Sequence, residues 1–332
     1  MPGAPWVARD GLAREIASRA AREISLAAIA AVLALAWVTG GCSHSEAKVE
    51  ASHPAPPVVS YIGRWGKKGD GPGELDRPTC IAADSVGKVY IADAGSHFVH
   101  KFDTDGTPLL SFQENALKNP QSITIDSGGA IYVTELSSTS AFVFFPNGDR
   151  YHQVKLKTHA NNEDLLSVAV DDGGVIQILD AEANRVFTYT PRFKLTKSWM
   201  PAANDSGRGV RARTVAAAAD GSVYLLDGDA GRVLKFTSDG HFVNEMKADG
   251  GSGRLSDAFA VSPIGIFAAD ADGHTLHAWS LDGQPKLDID LAPELGESGQ
   301  TAPVSALAVS PRKELLVLDA PESRVLRYRI NF

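Results

Sequence analysis

Cysteine is scarce in this sequence: only Cys42 and Cys80 occur among its 332 residues. Two thiols form neither a disulfide framework nor a cysteine-rich metal site, which excludes the disulfide-stapled and zinc-finger classes. Positive charge is also in deficit, because 32 Lys and Arg stand against 40 Asp and Glu, a net charge of −8. Such a field repels phosphate backbones, so we expect no nucleic-acid partner. With 44% hydrophobic residues, the chain can still bury a large core.

A hydrophobic run long enough for an ordinary membrane span is missing too. The longest apolar stretch, Ile24–Val38, has fifteen residues without a charge, whereas a spanning helix needs about twenty and the apolar region of an export signal about 7–15. The next residues, Thr39-Gly40-Gly41-Cys42, resemble with Val38 the lipobox of bacterial lipoproteins, in which the cysteine receives a lipid.

This pattern predicts a lipoprotein signal peptide over residues 1–41, lipid attachment at Cys42 and a flexible tether over residues 42–57, which are polar and rich in Ala and Pro. The alternative is an uncleaved anchor helix followed by a free cysteine.

A repeat fills the rest of the chain. Six segments align without gaps, and each carries an acidic residue, separated from the next by 42, 45, 47, 43 and 49 residues: Asp93, Glu135, Asp180, Asp227, Asp270 and Asp319. Nine residues after each acid stands an aromatic residue: Phe102, Phe144, Tyr189, Phe236, Trp279 and Tyr328. A period of this length is typical of propellers and solenoids.

Within each repeat, apolar residues alternate with period two between turn signals such as Asp105-Gly106, which indicates four short strands. We therefore predict an all-β fold, a six-bladed β-propeller of four-stranded blades over residues 58–332, with the aromatic residues packed between blades. The inner strands carry short side chains at one equivalent position, as expected around a narrow channel: Cys80, Ser122, Ser167, Thr214, Asp257 and Ala306.

The sixth repeat ends after its third strand, and residues 58–65 have the character of an outer strand. Pairing this N-terminal strand with the last blade would close the ring and remove two exposed sheet edges. We therefore predict closure by the N-terminal outer strand.

Residues 63–106, GRWGKKGDGPGELDRPTCIAADSVGKVYIADAGSHFVHKFDTDG, resemble an NHL repeat in the GPGEL loop, the Pro before the inner strand, the VYIAD core and the final DG. The resemblance implies a propeller that binds partners with loops at the channel mouth. RNA binding, which the resemblance to intracellular NHL domains would allow, conflicts with export and with the negative charge.

Resemblance also raises a metal hypothesis. Peptidyl-hydroxyglycine amidating lyases are similar in fold and hold zinc with histidines from alternate blades, and the fourth residue after the acid gives His97, Asn184 and His274 in blades one, three and five. Asn is a poor zinc ligand, and histidine also occurs at this turn in ordinary NHL repeats. We therefore predict a structural turn role and no cofactor, with zinc or calcium at His97 and His274 as the alternative.

Three further features bear on a site. Arg208, Arg211 and Arg213 form a basic cluster before blade four, interpreted either as a solvated loop or as a site for a carboxylate or other anion on a partner. His100 and His277 are predicted to be half-buried or solvent-facing strand residues, and Cys80 a small buried one.

No nucleophile elbow, HExxH pair, phosphate-binding loop or EF-hand spacing occurs in the sequence. We therefore predict a non-enzymatic, lipid-anchored scaffold that binds a protein, peptide or glycan partner at the bacterial cell envelope, facing the periplasm or on the outer membrane. The alternative is an envelope lyase or hydrolase with a metal at the channel mouth, held by His97 and His274.

Overall fold

The computed structural model describes residues 58–331 except 116, 137, 156–165, 203–208, 249–252 and 296–303. These residues form six antiparallel sheets of four strands each. The predicted signal peptide and tether lie outside the described residues. Within the described part of the chain, no helix is long and apolar enough to cross a membrane.

The strands are numbered in chain order. Their bounds are β1 Val58–Trp65, β2 Pro78–Ala83, β3 Val89–Asp93, β4 Phe98–Phe102, β5 Pro108–Gln113, β6 Pro120–Ile125, β7 Ile131–Glu135, β8 Ser140–Phe144, β9 Arg150–Lys155, β10 Leu166–Val170, β11 Ile176–Asp180, β12 Arg185–Tyr189, β13 Leu195–Trp199, β14 Thr214–Ala217, β15 Val223–Asp227, β16 Arg232–Phe236, β17 Phe242–Lys247, β18 Leu255–Ser262, β19 Gly265–Asp270, β20 Thr275–Trp279, β21 Pro285–Asp290, β22 Ala306–Val309, β23 Glu314–Asp319 and β24 Arg324–Asn331. One helical turn, α1, spans Ala292–Leu295, and a 3-10 turn spans Gly228–Ala230.

The six sheets are the blades of a closed ring. Each blade uses four consecutive strands, from β2–β5 in blade one to β18–β21 in blade five. The inner strands β2, β6, β10, β14, β18 and β22 contact one another in that order, and β22 returns to β2. They surround a central cavity of 450 Å³, lined by all six short side chains predicted for the channel. The all-β, six-bladed propeller predicted from the repeat is confirmed.

Blade six is completed by the first strand of the ring. β1 pairs antiparallel with β24, from Val58 opposite Asn331 to Trp65 opposite Val325, with one irregularity between Tyr61 and Gly63. The predicted closure by an N-terminal outer strand is therefore confirmed. This pairing leaves β24 with a partner strand on both sides, β23 and β1, and gives blade six the outer strand that the other blades have.

Aromatic side chains fill the spaces between blades. The six aromatic residues at the ninth position of the repeat are all buried. In three blades they meet an aromatic ring from the end of the preceding outer strand: Trp65 with Phe102, Phe112 with Phe144, and Trp199 with Phe236, at centroid distances of 4.9, 5.1 and 5.1 Å. Aromatic pairs at these distances stabilise the fold by more than the burial of their apolar area alone.

The ring has two sides. The mouth side carries the turns between second and third strands and the loops that enter the inner strands, since Pro78 at the start of β2 lies opposite Asp93 at the end of β3. The hairpin side carries the turns between first and second and between third and outer strands. These two turns meet in blade one, where the Thr104 hydroxyl donates a hydrogen bond of 2.7 Å to the carbonyl of Gly87.

Candidate functional site

The acidic residue of each repeat secures the mouth side. In blade one, Asp93 Oδ1 accepts hydrogen bonds from the backbone N–H groups of Gly95 and Ser96, at 2.8 and 2.9 Å. Its carboxylate also accepts from the N–H groups of Asp76 and Arg77 in the loop that enters β2. In blade one the acid therefore ties two loops together, and Glu135 does the same in blade two by accepting from the N–H groups of Lys118 and Asn119.

In blade four the acid acts through a buried arginine. Arg232, with 3% of its side chain exposed, contacts Asp227 at 2.9 Å and Glu245 at 3.1 Å. The same guanidinium donates a hydrogen bond of 3.1 Å to the carbonyl of Gly209. The backbone N–H of Arg213 donates one of 3.0 Å to the carbonyl of Leu226. These contacts hold the stretch from Gly209 to Arg213 against β15 and place Arg213 at the channel.

Two ion pairs stand where blades four and five meet the channel. Arg213 Nε lies 2.9 Å from Asp257 Oδ1, and both side chains are about half exposed, at 49% and 48%. Arg254 pairs with Asp229, again with both side chains largely exposed. We call these four residues, together with Ser305, the mouth site.

A second cavity makes the mouth site accessible. Its volume is 390 Å³, and its lining includes all five residues of the mouth site. Arg213, Asp257 and Ser305 also line the central cavity, so the two spaces adjoin at these residues. Together they have the size of an ordinary small-molecule or peptide-group pocket.

The mouth-site ion pairs can be exchanged at small cost. Exposed pairs of this kind contribute only about 0.2–1 kcal/mol, because water screens them and two long side chains are held in one geometry. A ligand carboxylate can therefore replace Asp257 or Asp229 against a guanidinium, with bidentate geometry available. The freed aspartate could in turn accept a hydrogen bond from a ligand ammonium or amide.

Comparison with known families identifies the first blade. The family described as NHL repeat matches residues 75–102, which run from the loop before β2 to the end of β4. The match thus covers the first three strands of blade one. The other five blades have the same strand order and the same acidic and aromatic positions as blade one.

Solved structures with the same architecture include three structures of lyases. A streptogramin B lyase aligns with a TM-score of 0.58 at 11% identity, covering 83% of this chain and 98% of that one. A virginiamycin B lyase from Staphylococcus aureus gives 0.54 at 13%, covering 83% and 89%. A catalytically inactive form of that lyase with quinupristin gives 0.54 at 12%, covering 82% and 88%. At these identities the likeness shows a shared fold.

The three residues of the metal hypothesis lie in the turns between second and third strands, on the mouth side. His97 and Asn184 have left-handed backbone, with φ of 60° and 47°, and so do Gly231 and Ser323 at the same position in blades four and six. In blade five the left-handed residue is Gly273, one position before His274. A short polar side chain or Gly suits such a position, and His97 Nδ1 lies 3.2 Å from the Lys118 carbonyl.

These three residues are not brought to the cavities. The linings of the central cavity and of the adjoining one do not include His97, Asn184 or His274. Across the described ranges, no group of three His, Cys, Asp or Glu side chains lies close enough to hold a metal. The zinc or calcium alternative, and the turn role, stay predictions.

The basic cluster is divided by the structure. Arg208 lies outside the described residues, Arg211 is exposed, and Arg213 lines both cavities. Sequence reasoning missed Asp229, Arg254 and Ser305, because no spacing motif links residues from three different blades. A signal was available, since a basic residue stands directly before the inner strand in blades one, four and five: Arg77, Arg213 and Arg254.

The prediction for the two strand histidines is wrong in its exposure. His100 is fully buried and His277 is 3% exposed, because this position of the third strand faces the space between blades. His100 Nδ1 accepts a hydrogen bond of 3.2 Å from the Gly73 N–H and lies 2.8 Å from Ser111 Oγ. Burial lowers the pKa of His100 to about 4, so the ring is neutral at physiological pH.

Cys80 is the small buried residue that the sequence predicted, with 5% exposure. Burial raises the pKa of its thiol to about 12. Because the thiolate is the reactive form, Cys80 is chemically inert under ordinary conditions.

Proposed function

We propose that this protein is a lipid-anchored binding scaffold of a bacterial cell envelope, which holds an acidic peptide or protein segment at the mouth site. The observation that carries the proposal is the position of Arg213, half exposed and shared by two adjoining cavities. Its guanidinium is held on a rigid ring, so a ligand carboxylate would meet a preorganised partner. Arg254 supplies a second cation beside the same cavity.

The charge arrangement supports a peptide-like ligand over a simple anion. Each arginine of the mouth site stands beside an aspartate, which gives a cation and an acceptor together. A peptide provides the complementary groups: its terminal or side-chain carboxylate can bind the arginine, and its N–H groups can donate to the aspartate. A glycan remains within the broader class of envelope partners, and the net charge of −8 disfavours nucleic acid.

Binding to acidic peptides tests this function. The probe is a library of fluorescent peptides that end in a free carboxylate, each compared with its amidated form by fluorescence anisotropy. Arg213→Gln together with Arg254→Gln should weaken the best binder about ten-fold or more, as expected when charge-assisted hydrogen bonds are lost. Arg192→Gln is the matched control, since Arg192 is an exposed arginine on the hairpin side. Equal binding by the double variant would reject the mouth site.

The anchor has a separate test. The proposal places a lipid on Cys42, so fatty-acid labelling of the full chain in a bacterial host should be lost in Cys42→Ser. Labelling should persist in Cys80→Ser, whose thiol is buried. A wild-type chain that stays unlabelled and fully soluble would reject the anchor while leaving the mouth site standing.

A second candidate is an envelope lyase or hydrolase that holds a metal with His97 and His274. It is favoured by the likeness to streptogramin B and virginiamycin B lyases in fold and by His274 Nδ1, which is buried without a hydrogen-bond partner. Such a nitrogen is a suitable zinc ligand. Metal analysis of the purified wild type and of His97→Ala with His274→Ala separates the candidates: stoichiometric zinc or calcium in the wild type alone would favour the enzyme.

A further inference from the structure

Large exposed apolar side chains are concentrated on one side of the ring. Among the described residues, nine such side chains are exposed, and two of them, Leu136 and Met200, follow the ends of strands on the mouth side. Tyr61 lies within β1. The other six lie in turns of the hairpin side or in the first two residues of the outer strands that begin there: Val86, Leu109, Phe145, Tyr151, Leu195 and Val243. Exposed apolar residues that are scattered singly over a surface are normal, whereas a group of them on one side indicates an interaction surface.

The centre of this surface is an aromatic cluster in blades two and three. It consists of Phe145, Tyr151, His152 and Phe193. Phe145 lies 4.6 Å from Tyr151, and Tyr151 lies 5.7 Å from Phe193, between ring centroids. Phe193 also stacks on His152 at 4.1 Å with an interplanar angle of 22°. Phe145 and Tyr151 remain 45% and 52% exposed, so the cluster is built but not covered.

Phe193 occupies a backbone position that favours glycine. Its φ is 59°, and the equivalent turn residue in four other blades is a glycine with φ between 83° and 90°: Gly106, Gly148, Gly240 and Gly283. The turns correspond in hydrogen bonding, since Phe193 N donates to Thr190 as Gly106 N does to Asp103. A bulky residue in the left-handed conformation strains the backbone. Strained backbone of this kind clusters at functional sites of proteins.

Basic side chains border the aromatic cluster. Arg192 and Lys194 flank Phe193 and are both exposed. Arg150 precedes Tyr151 and is half exposed beside Glu114, at 3.5 Å. Aromatic rings with arginine and lysine around them are the composition that proteins present to the interface of a phospholipid bilayer, where the rings sit at headgroup level.

The chain enters the ring from the same side. β1 starts at Val58, opposite Asn331. The backbone N–H of Ile330, next to Asn331, donates a hydrogen bond of 3.0 Å to the carbonyl of Lys313, which lies in a turn of the hairpin side. The first strand of the ring therefore begins on the hairpin side. Sixteen residues, 42–57, span at most about 55 Å when fully extended, so a lipid on Cys42 would keep this side of the ring near the bilayer.

We propose that the hairpin side of blades two and three docks on a phospholipid bilayer through the aromatic cluster and Leu195. The inference rests on the proposed lipid anchor for its setting, because the anchor raises the local concentration of bilayer and makes a weak surface sufficient. Docking in this way leaves the mouth site facing away from the membrane, open to a partner. The exposed apolar residues also lie along the rims of four neighbouring blades. A row of this kind fits the flat surface of a bilayer better than a single protein side chain or groove.

Vesicle binding without the lipid tests the proposal. The protein is the chain from residue 42 with Cys42→Ser, and the probe is vesicles of phosphatidylethanolamine and phosphatidylglycerol, 3:1, in 0.5 M NaCl, which screens charge. We expect co-sedimentation with the vesicles. Tyr151→Ser with Phe193→Gly should lower the partition coefficient about ten-fold, as the loss of two inserted rings implies. The matched control, Leu136→Ser with Met200→Ser, removes two exposed apolar residues elsewhere and should change it less than about two-fold.

Three results would overturn the proposal. They are no sedimentation above a vesicle-free blank, an equal loss in the control variant, and binding only to native envelope vesicles that contain protein, which would indicate a protein partner instead. Since Cys42→Ser cannot be acylated, failure of the anchor in the labelling test leaves this assay unaffected. The vesicle assay is also independent of the peptide-binding test, because the variant Arg213→Gln with Arg254→Gln should bind vesicles as the parent protein does.

Discussion

Trp65 at the end of β1 lies 4.9 Å from Phe102 of β4, between ring centroids. β1 is hydrogen-bonded to blade six, yet this contact belongs to blade one. One strand therefore joins the two ends of the ring both through its backbone and through its side chain. The same kind of contact recurs between Trp199 and Phe236, two blades that need no such closure.

Deleting residues 58–65 should abolish cooperative thermal unfolding. The deletion exposes the edge of β24 and removes Trp65 from Phe102, so the first and last blades lose both links. Scanning calorimetry of the chain from residue 42 measures the transition. Deleting residues 43–50, which precede the ring, is the control and should leave the melt unchanged; a sharp, near-parental melt after loss of 58–65 would contradict the role of β1.

Gly106→Ala should destabilise the ring by about 2 kcal/mol or more, since both strain and overpacking act there. The φ of Gly106 is 88°, and a Cβ on it would lie 2.4 Å from the ring of Trp65. Gly209→Ala is the control, because a Cβ there meets nothing within 4 Å. Urea unfolding followed by tryptophan fluorescence gives both values, and similar free energies for the two variants would count against the Trp65 contact.

Phe193→Gly should leave the free energy of unfolding unchanged or raise it by about 1 kcal/mol. Relief of the left-handed backbone, worth about 1–2 kcal/mol, offsets the lost stacking on His152 and the added chain entropy of glycine. Denaturant unfolding measures the effect. A loss of more than about 1 kcal/mol would mean that the aromatic cluster stabilises the fold instead of serving a surface.

Lowering the pH from 7.5 to 5 should cost about 2 kcal/mol of stability through His100. Its folded pKa, about 4, is depressed by burial below the ordinary value of 6.5. The unfolded chain therefore takes up a proton first, and stability is lost as the pH falls from 6.5 towards 4.

The test of His100 compares two variants by urea unfolding at both pH values. His100→Phe, the residue found at this position in blades two and three as Phe142 and Phe187, should flatten the pH dependence. His241→Gln removes an exposed histidine and should not. An unchanged slope in His100→Phe would show that another group is responsible.

Arg232→Ala should destabilise the protein by about 3–5 kcal/mol, because it leaves the buried Asp227 without its charge partner. Arg254→Ala is the matched control: it breaks an exposed pair and should cost less than about 1 kcal/mol. Thermal unfolding compares them. Equal losses would show that the Gly209 stretch is held by other contacts than Arg232.

Local pattern was enough to predict the blades and the closure, because an alternating strand and an Asp-Gly or Asn-Gly turn are encoded within a few residues. Asp93 and Phe102 repeat at one spacing in all six blades, so the register of the ring can be read directly. Exposure was harder to predict. His100 was misjudged because it is polar, although it lies two residues before Phe102 and therefore faces the same space between blades.

The number of blades, the buried aromatic position and the strand that closes the ring were thus determined by the sequence alone, since each is a periodic feature of one chain. The mouth site was decided by the tertiary structure: Arg213 and Asp257 stand 44 residues apart and come within 2.9 Å only because closure of the ring brings the inner strands of blades four and five to one channel. The aromatic cluster arose in the same way, because the neighbouring rims of blades two and three bring Tyr151 and Phe193 together.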